Sequence, residues 1–239
     1  MSSREGVVLA SDGQVTSHTD GQPTRRPDRK LFDLGHRVAW GSAGSAGLQQ
    51  TLRERLDGMA GDLSGGNRLR ERLAEAVIPI QQRALAQYVP HPGSEPPDLS
   101  CLFCWCDAGR PWILEVPRTG GDHQLHRRFA AIGTGEIFAK FALASVGHLA
   151  PERLDLERAK MVAYKAIADA IEVAAIYLGP PIQMYVVDDG GARRVPPAEV
   201  EGGLADSVDA WKARQLEALG PLAPRRSRLT TQGRRARRG

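Results

Sequence analysis

Apolar positions along this chain follow two rhythms. Short runs of four to nine apolar residues, bounded by Gly, Pro and Asp, alternate with longer stretches in which leucines, valines and alanines return every three or four positions. The first rhythm predicts strands and the second predicts helices. Residues 6–11 (GVVLAS) read as a strand, and residues 12–29, rich in Asp, Gly, Pro and Thr, as a turn or loop. Lys30 to Trp40 reads as a short strand pair turning at Gly35-His36, and GSAGSAG (41–47) as a flexible loop into a helix. Leu48, Leu52 and Leu56 lie on one face of that helix, which Gly58 and Gly61 help to end. Asn67 can cap a second helix with the face Leu69, Leu73, Val77 and Ile80, kinked by Pro79 and followed by a break at Pro90–Pro97.

The second half repeats the order. Leu99–Asp107 and Trp112–Val116 predict a hairpin around Asp107-Ala108-Gly109. Ala130–Ile132 reads as a short strand ending in Gly133-Thr134-Gly135. Helices follow at about Glu136–Val146 and Asp155–Leu178, then a strand at Gln183–Asp188 closed by Asp189-Gly190-Gly191, and a last helix over 204–219. The polar stripe of the fourth helix is narrow (Lys165, Asp169, Glu172), so the helix is covered on more than one side, by its own sheet and by either a neighbouring helix or another subunit. Strands, two helices, strands, two helices and strands predict an α+β layered architecture, with helices segregated onto the outer faces of packed sheets.

Charge changes the picture at one end only. Residues 221–239 hold seven arginines and no acid, so the formal charge of +4 becomes −3 once they are set aside. We therefore read 1–219 as one domain and 220–239 as a disordered Arg-rich tail. No aromatic residue interleaves with those arginines, which argues against stacking on nucleic acid. No stretch reaches the length of a membrane span and the N-terminus lacks an apolar leader, so the expected location is the cytoplasm. Cys101, Cys104 and Cys106, with His123 and His126 downstream, invite a zinc reading. In a strand, however, Cys101 points away from Cys104 and Cys106, and a tetrahedral site needs converging ligands. We read them as small buried hydrophobes and expect no metal and no cofactor.

Four segments in this order resemble the proteasome β subunit and its bacterial HslV-type relative. They are GVVLASD (Gly6–Asp12), DRKLFDLGHRVAWGSAGSAG (Asp28–Gly47), FAAIGTGEIFAKFAL (Phe129–Leu143), and the fourth helix with LGPPIQMYVVDDGG (Leu178–Gly191). The resemblance implies a four-layer αββα sandwich of the Ntn-hydrolase type. It also implies threonine-type peptidase chemistry, in which the oxygen of an N-terminal Thr attacks a peptide carbonyl while its own α-amine serves as base. Carried over position by position, Asp12 matches the Asp that holds the site lysine and Lys30 matches that lysine. Gly44 matches the oxyanion glycine, and Thr134 stands where the family has Ser beside the amine. Read singly, Lys30 is a surface lysine and Asp12 a turn residue.

Three departures accompany the match. The family nucleophile precedes the match to Asp12 by about sixteen residues, whereas Ser2 precedes it by ten, a shortfall of about 20 Å of strand at ~3.3 Å per residue. Ala175 and Leu178 stand where the family has an Asp and a Ser, and Asp169 and Glu172 lie nearby but on other faces of the helix. Two readings stay open: a catalytic subunit whose natural start lies upstream, and a non-catalytic scaffold or binding subunit that keeps the fold. The resemblance further implies a homo-oligomer or ring, a polypeptide substrate if the subunit is active, and an ATPase unfoldase partner.

Overall fold

The computed structural model describes residues 1–19, 22–61, 63, 65–92, 94–118, 122–146 and 153–220; the Arg-rich segment lies outside the described residues. The apolar runs form the strands β1 (Val7–Ser11), β4 (Leu31–Leu34), β5 (Val38–Gly44), β6 (Leu99–Asp107), β7 (Arg110–Val116) and β9 (Gln183–Asp188). The predicted loop at 12–29 is instead a hairpin, β2 (Gln14–Thr19) and β3 (Gln22–Pro27), paired among the described residues only with itself. Two further strands, β8 (Gln124–His126) and β10 (Gly191–Arg194), close sheet edges.

The helices are α1 (Ala46–Asp57), α2 (Gly66–Gln87), α3 (Glu136–Ser145), α4 (Leu156–Val173) and α5 (Ala205–Leu219). A π-helical turn, Glu199–Leu204, precedes α5. Gly65, not Asn67, occupies the cap of α2, which continues through Pro79. Asp155 caps α4, its carboxylate accepting the Arg158 N–H at 2.8 Å. No helix among the described residues is long and apolar enough to cross a membrane.

Every strand pair among the described residues is antiparallel. One sheet has the order β4-β5-β6-β7-β8 and the other β1-β9-β10. Alternation along each strand builds the layers. Val7, Leu9, Tyr185 and Val187 point inward to meet Ala39, Leu102, Cys104 and Ile113, forming the seam between the sheets. The opposite face of the larger sheet, including Trp40, Cys101, Phe103 and Trp105, packs under the leucines of α1 and α2. The opposite face of the smaller sheet, Val8, Met184 and Val186, packs under Ala159 and Ala163 of α4. The result is the helix–sheet–sheet–helix sandwich expected from the order of elements. Cys101 and Cys104 lie on opposite faces of β6, as the alternation required.

α4 is covered mostly from within the chain. Leu156, Ala159, Val162, Ala163, Ala166 and Ala170 are all buried against β1, β9 and the neighbouring helices. Phe103, fully buried at the centre of the helix-facing core and stacked on Trp40 with ring centres 6.2 Å apart, should be the most sensitive packing position. Phe103→Ala is expected to lower unfolding free energy by about 3–5 kcal/mol in a denaturant titration.

Candidate functional site

The site residues named from sequence are far apart along the chain, and the fold draws them to one end of the sandwich. β1 ends at Ser11, and its last turn of chain delivers Asp12 into a buried position. Lys30 enters just before β4, and its ammonium donates to Asp12 Oδ1 at 2.7 Å. The second carboxylate oxygen of Asp12 accepts the backbone N–H groups of Gln14 (3.1 Å) and Gly179 (3.3 Å). Asp12 is thus fixed by three donors, and it fixes Lys30 in turn.

A second support was not legible in the sequence. Gln183, at the head of β9, accepts the Lys30 backbone N–H with Oε1 at 3.0 Å and donates with Nε2 to the Asp28 carbonyl. One buried amide therefore clamps both sides of Arg29-Lys30. A polar residue opening an otherwise apolar strand (QMYVVD) was the available signal. Arg29 turns the other way, donating to the Tyr185 hydroxyl at 2.8 Å. Burial pushes the Tyr185 phenol upward, with Arg29 opposing and Asp33 reinforcing the shift.

Gly44 ends β5, exposed, with φ +118. A side chain there would be strained and would collide with the Asp98 carbonyl, so the position demands glycine. Its carbonyl accepts from Gln49 Nε2 at 2.7 Å, which ties the loop to the first turns of α1. Thr134 is exposed in the turn before α3 and makes no hydrogen bond among the described residues. Its neighbours tie that turn to the rest of the site. A Cβ on Gly133 would come within 3.0 Å of the Ala43 methyl, and one on Gly135 within 2.7 Å of Leu178. Leu178 adjoins Gly179, whose N–H binds Asp12. A continuous path therefore runs Lys30–Asp12–Gly179–Leu178–Gly135–Thr134 and back through Gly133 to Ala43 and Gly44. Beside Thr134 opens a groove of about 600 Å³, walled by Phe129, Ile137, Lys140 and Phe141.

The departures also find places. Leu178 is buried against Gly135, and Ala175 lies in the turn after α4. Asp169 and Glu172 do not substitute for them: Asp169 pairs with Lys165 and Lys212, and Glu172 reaches Lys212, on the side of α4 that faces α5. Ser2 is buried and bridged to Val7, at the opposite end of β1 from Asp12 and therefore about 16 Å away at ~3.3 Å per residue. Among the described residues no group of three or more His, Cys, Asp or Glu side chains is placed to hold a metal ion.

The family model described as proteasome subunit matches residues 1–187. No curated protein sequence matches the chain. Among solved structures it is similar to an Anbu (Gly-1) mutant from Hyphomicrobium sp. strain MC1, with a TM-score of 0.68 at 15% identity, over 93% of this chain and 95% of that one. At that identity the likeness speaks for the fold.

The network around Asp12 makes a stability prediction. Asp12→Ala removes one ion pair and leaves the Gln14 and Gly179 N–H groups without their acceptor. It should cost about 1–3 kcal/mol, whereas Lys30→Met, which breaks one interaction and keeps the stem packed, should cost less than half of that in the same urea titration.

Proposed function

We propose that this chain, which belongs to the proteasome subunit family, is a subunit of a proteasome-like Ntn-hydrolase that cleaves peptide bonds with the Lys30–Asp12–Gly44–Thr134 end of its sandwich. The observation that carries the reading is the 2.7 Å pair between Lys30 and the thrice-bonded Asp12, at the same end of the molecule as a glycine with φ +118 and a free hydroxyl. An ammonium held there by a buried carboxylate lowers the proton affinity of a neighbouring nucleophile and favours its oxyanion. Gly44 would offer a backbone N–H to the tetrahedral intermediate, and Thr134 a hydroxyl to the amine that acts as base. The substrate is an extended polypeptide, the compartment the cytoplasm, and an ATPase unfoldase the partner that would feed it. No cofactor is required by this chemistry.

The nucleophile in this reading is an N-terminal Thr about six positions ahead of Ser2, since Ser2 stands about 16–20 Å too far along the strand. A scaffold subunit is the competing reading, favoured by Ala175 and Leu178 at two positions where the family carries polar groups.

Assembly is part of the proposal. Exposed apolar side chains gather where the start of α3 meets the end of α4: Ile137, Phe141, Val173, Ile176 and Tyr177, each at least half exposed. A patch of that kind on a soluble chain is suited to self-association, and we assign to it the contact that builds a ring or paired rings. Light scattering at micromolar concentration should find a species larger than the monomer, and Phe141→Asp should reduce it to monomer; monomer alone before substitution would contradict the assignment.

Activity separates the two functional readings. Protein starting at Met1 should show no turnover of a small peptide substrate. A version headed by Thr six positions before Ser2 should gain turnover, and Lys30→Ala in that version should remove at least about a hundredfold of it. An inactive Thr-headed form would favour the scaffold. Turnover by the Met1 form that Ser2→Ala abolishes would make Ser2 the nucleophile.

A further inference from the structure

Two arginines converge on the ring of Phe32. This residue sits on β4, the outer strand of the larger sheet, with its ring on the face that packs under α1 and α2. The buried Trp40, its cross-strand partner, backs the ring with 5.0 Å between centres and 31° between planes. Arg29 lies over the same ring with its guanidinium carbon 5.0 Å from the centre, and Arg53 of α1 does so at 4.4 Å. Both arginines are exposed and Trp40 is buried, so both reach the ring from the solvent side. Two positive charges therefore stand within two such distances of each other, each attracted to the ring and repelled by its neighbour.

Their surroundings leave that charge unbalanced. Arg29 is held in place: its Nε donates to the Leu31 carbonyl at 2.9 Å and its Nη2 to the Tyr185 hydroxyl at 2.8 Å. Asp33 offers it a carboxylate at 3.8 Å, but that carboxylate is shared, accepting the Tyr185 hydroxyl at 3.3 Å and meeting the His36 ring at 3.2 Å. Arg53 has its stack on Phe32 and no carboxylate within ion-pair distance among the described residues. Glu54, its neighbour on α1, accepts from Gln50 instead. Set against the single carboxylate of Asp33, the two guanidiniums leave one positive charge. The Nη1 group of Arg29 and the whole fork of Arg53 have no acceptor among the described residues.

We propose that Arg29 and Arg53, joined by the Phe32 ring, form a binding site for one carboxylate group. The class of ligand follows from charge and shape. One excess positive charge calls for a monoanion, which a carboxylate is and a sulfate or phosphate dianion is not. The two oxygens of a carboxylate match the planar N–H fork of a guanidinium, which binds them through paired hydrogen bonds. Arg29 is already fixed by Leu31 and Tyr185, so little freedom is lost there when the ligand arrives. The half-buried ring beneath offers an apolar surface to the stem that carries the carboxylate. A free organic acid or an acidic side chain of a polypeptide could supply it. Arg29 adjoins Lys30, and α1 begins two residues after Gly44, so a polypeptide held at that end of the sandwich runs beside the arginine pair. That such a polypeptide is a substrate, selected for acidic side chains, rests on the peptidase reading; the carboxylate site itself does not.

The test follows the side-chain N–H resonances of Arg29 and Arg53 by NMR in the full chain. The ligands are the acetylated and amidated tripeptide Ala-Glu-Ala, its Ala-Gln-Ala twin, sodium acetate, and sodium sulfate at equal ionic strength. The glutamyl peptide should move both resonances along one saturating curve, and the glutaminyl peptide should move neither. Arg53→Gln, at an exposed helical position, should weaken the binding read at Arg29 by about tenfold or more. Lys30→Met should leave it unchanged, which separates this site from the catalytic reading. Acetate that binds as tightly as the glutamyl peptide would assign the site to free acids, and acetate that binds severalfold more weakly would assign it to acidic side chains. Equal shifts with the glutaminyl peptide, undiminished binding in Arg53→Gln, tighter binding of sulfate than of either carboxylate, or loss of binding in Lys30→Met would overturn the proposal.

Discussion

The pairing of β1 with β9 governs the rest of the molecule. β9 is bonded on both sides, to β1 and to β10, and that double commitment dictates which backbone groups of β1 face outward. It also places Ser11 opposite Gln183, so the end of β1 and the head of β9 arrive together. Asp12 follows directly, bound to Gly179 on the approach to β9, and Gln183 reaches across to hold Lys30. The ion pair at the site is thus a consequence of strand register. A slip of one residue would turn Val7 and Leu9 out of the seam and carry Asp12 away from Lys30.

Most of the architecture was legible because its signals are periodic and apolar. The seam and the two outer cores rest on alternation in β1, β5, β6 and β9, and the helices on leucines and alanines at helical spacing. What escaped carries little apolar signal. Among the described residues β2 and β3 (QVTSHT and QPTRRP) pair only with each other, so no sheet neighbour obliges either to present an apolar face. β8 and β10 are short edge strands whose order comes from the neighbour they lean on. The opposite error at Ala130–Ile132 has the same root: the residues suit a strand, but strand geometry is a property of pairs.

The site was legible in part. Asp12 and Lys30 are eighteen positions apart and meet as the family pattern implied. Gly44 is marked by its positive φ, which a sequence can hint at only by the glycine itself. Gln183 left only the faint signal of a polar residue at the head of an apolar strand, and Gly179 none, because their contribution is positional: one offers an amide at a strand head, the other a backbone N–H that any residue carries. Asp169 and Glu172, chemically attractive in sequence, face lysines on α4 and α5, and their charges are spent in surface pairs.

The central claim is that the register of β1 against β9 brings Asp12 and Lys30 together. A crystal structure of the protein tests it most directly. Lys30 Nζ should lie within hydrogen-bond reach of Asp12 Oδ1, with Ser11 opposite Gln183 and the Gly179 N–H on the second Asp12 oxygen. A Lys30 side chain turned to solvent, or a shifted β1–β9 register with the ion pair still intact, would contradict it.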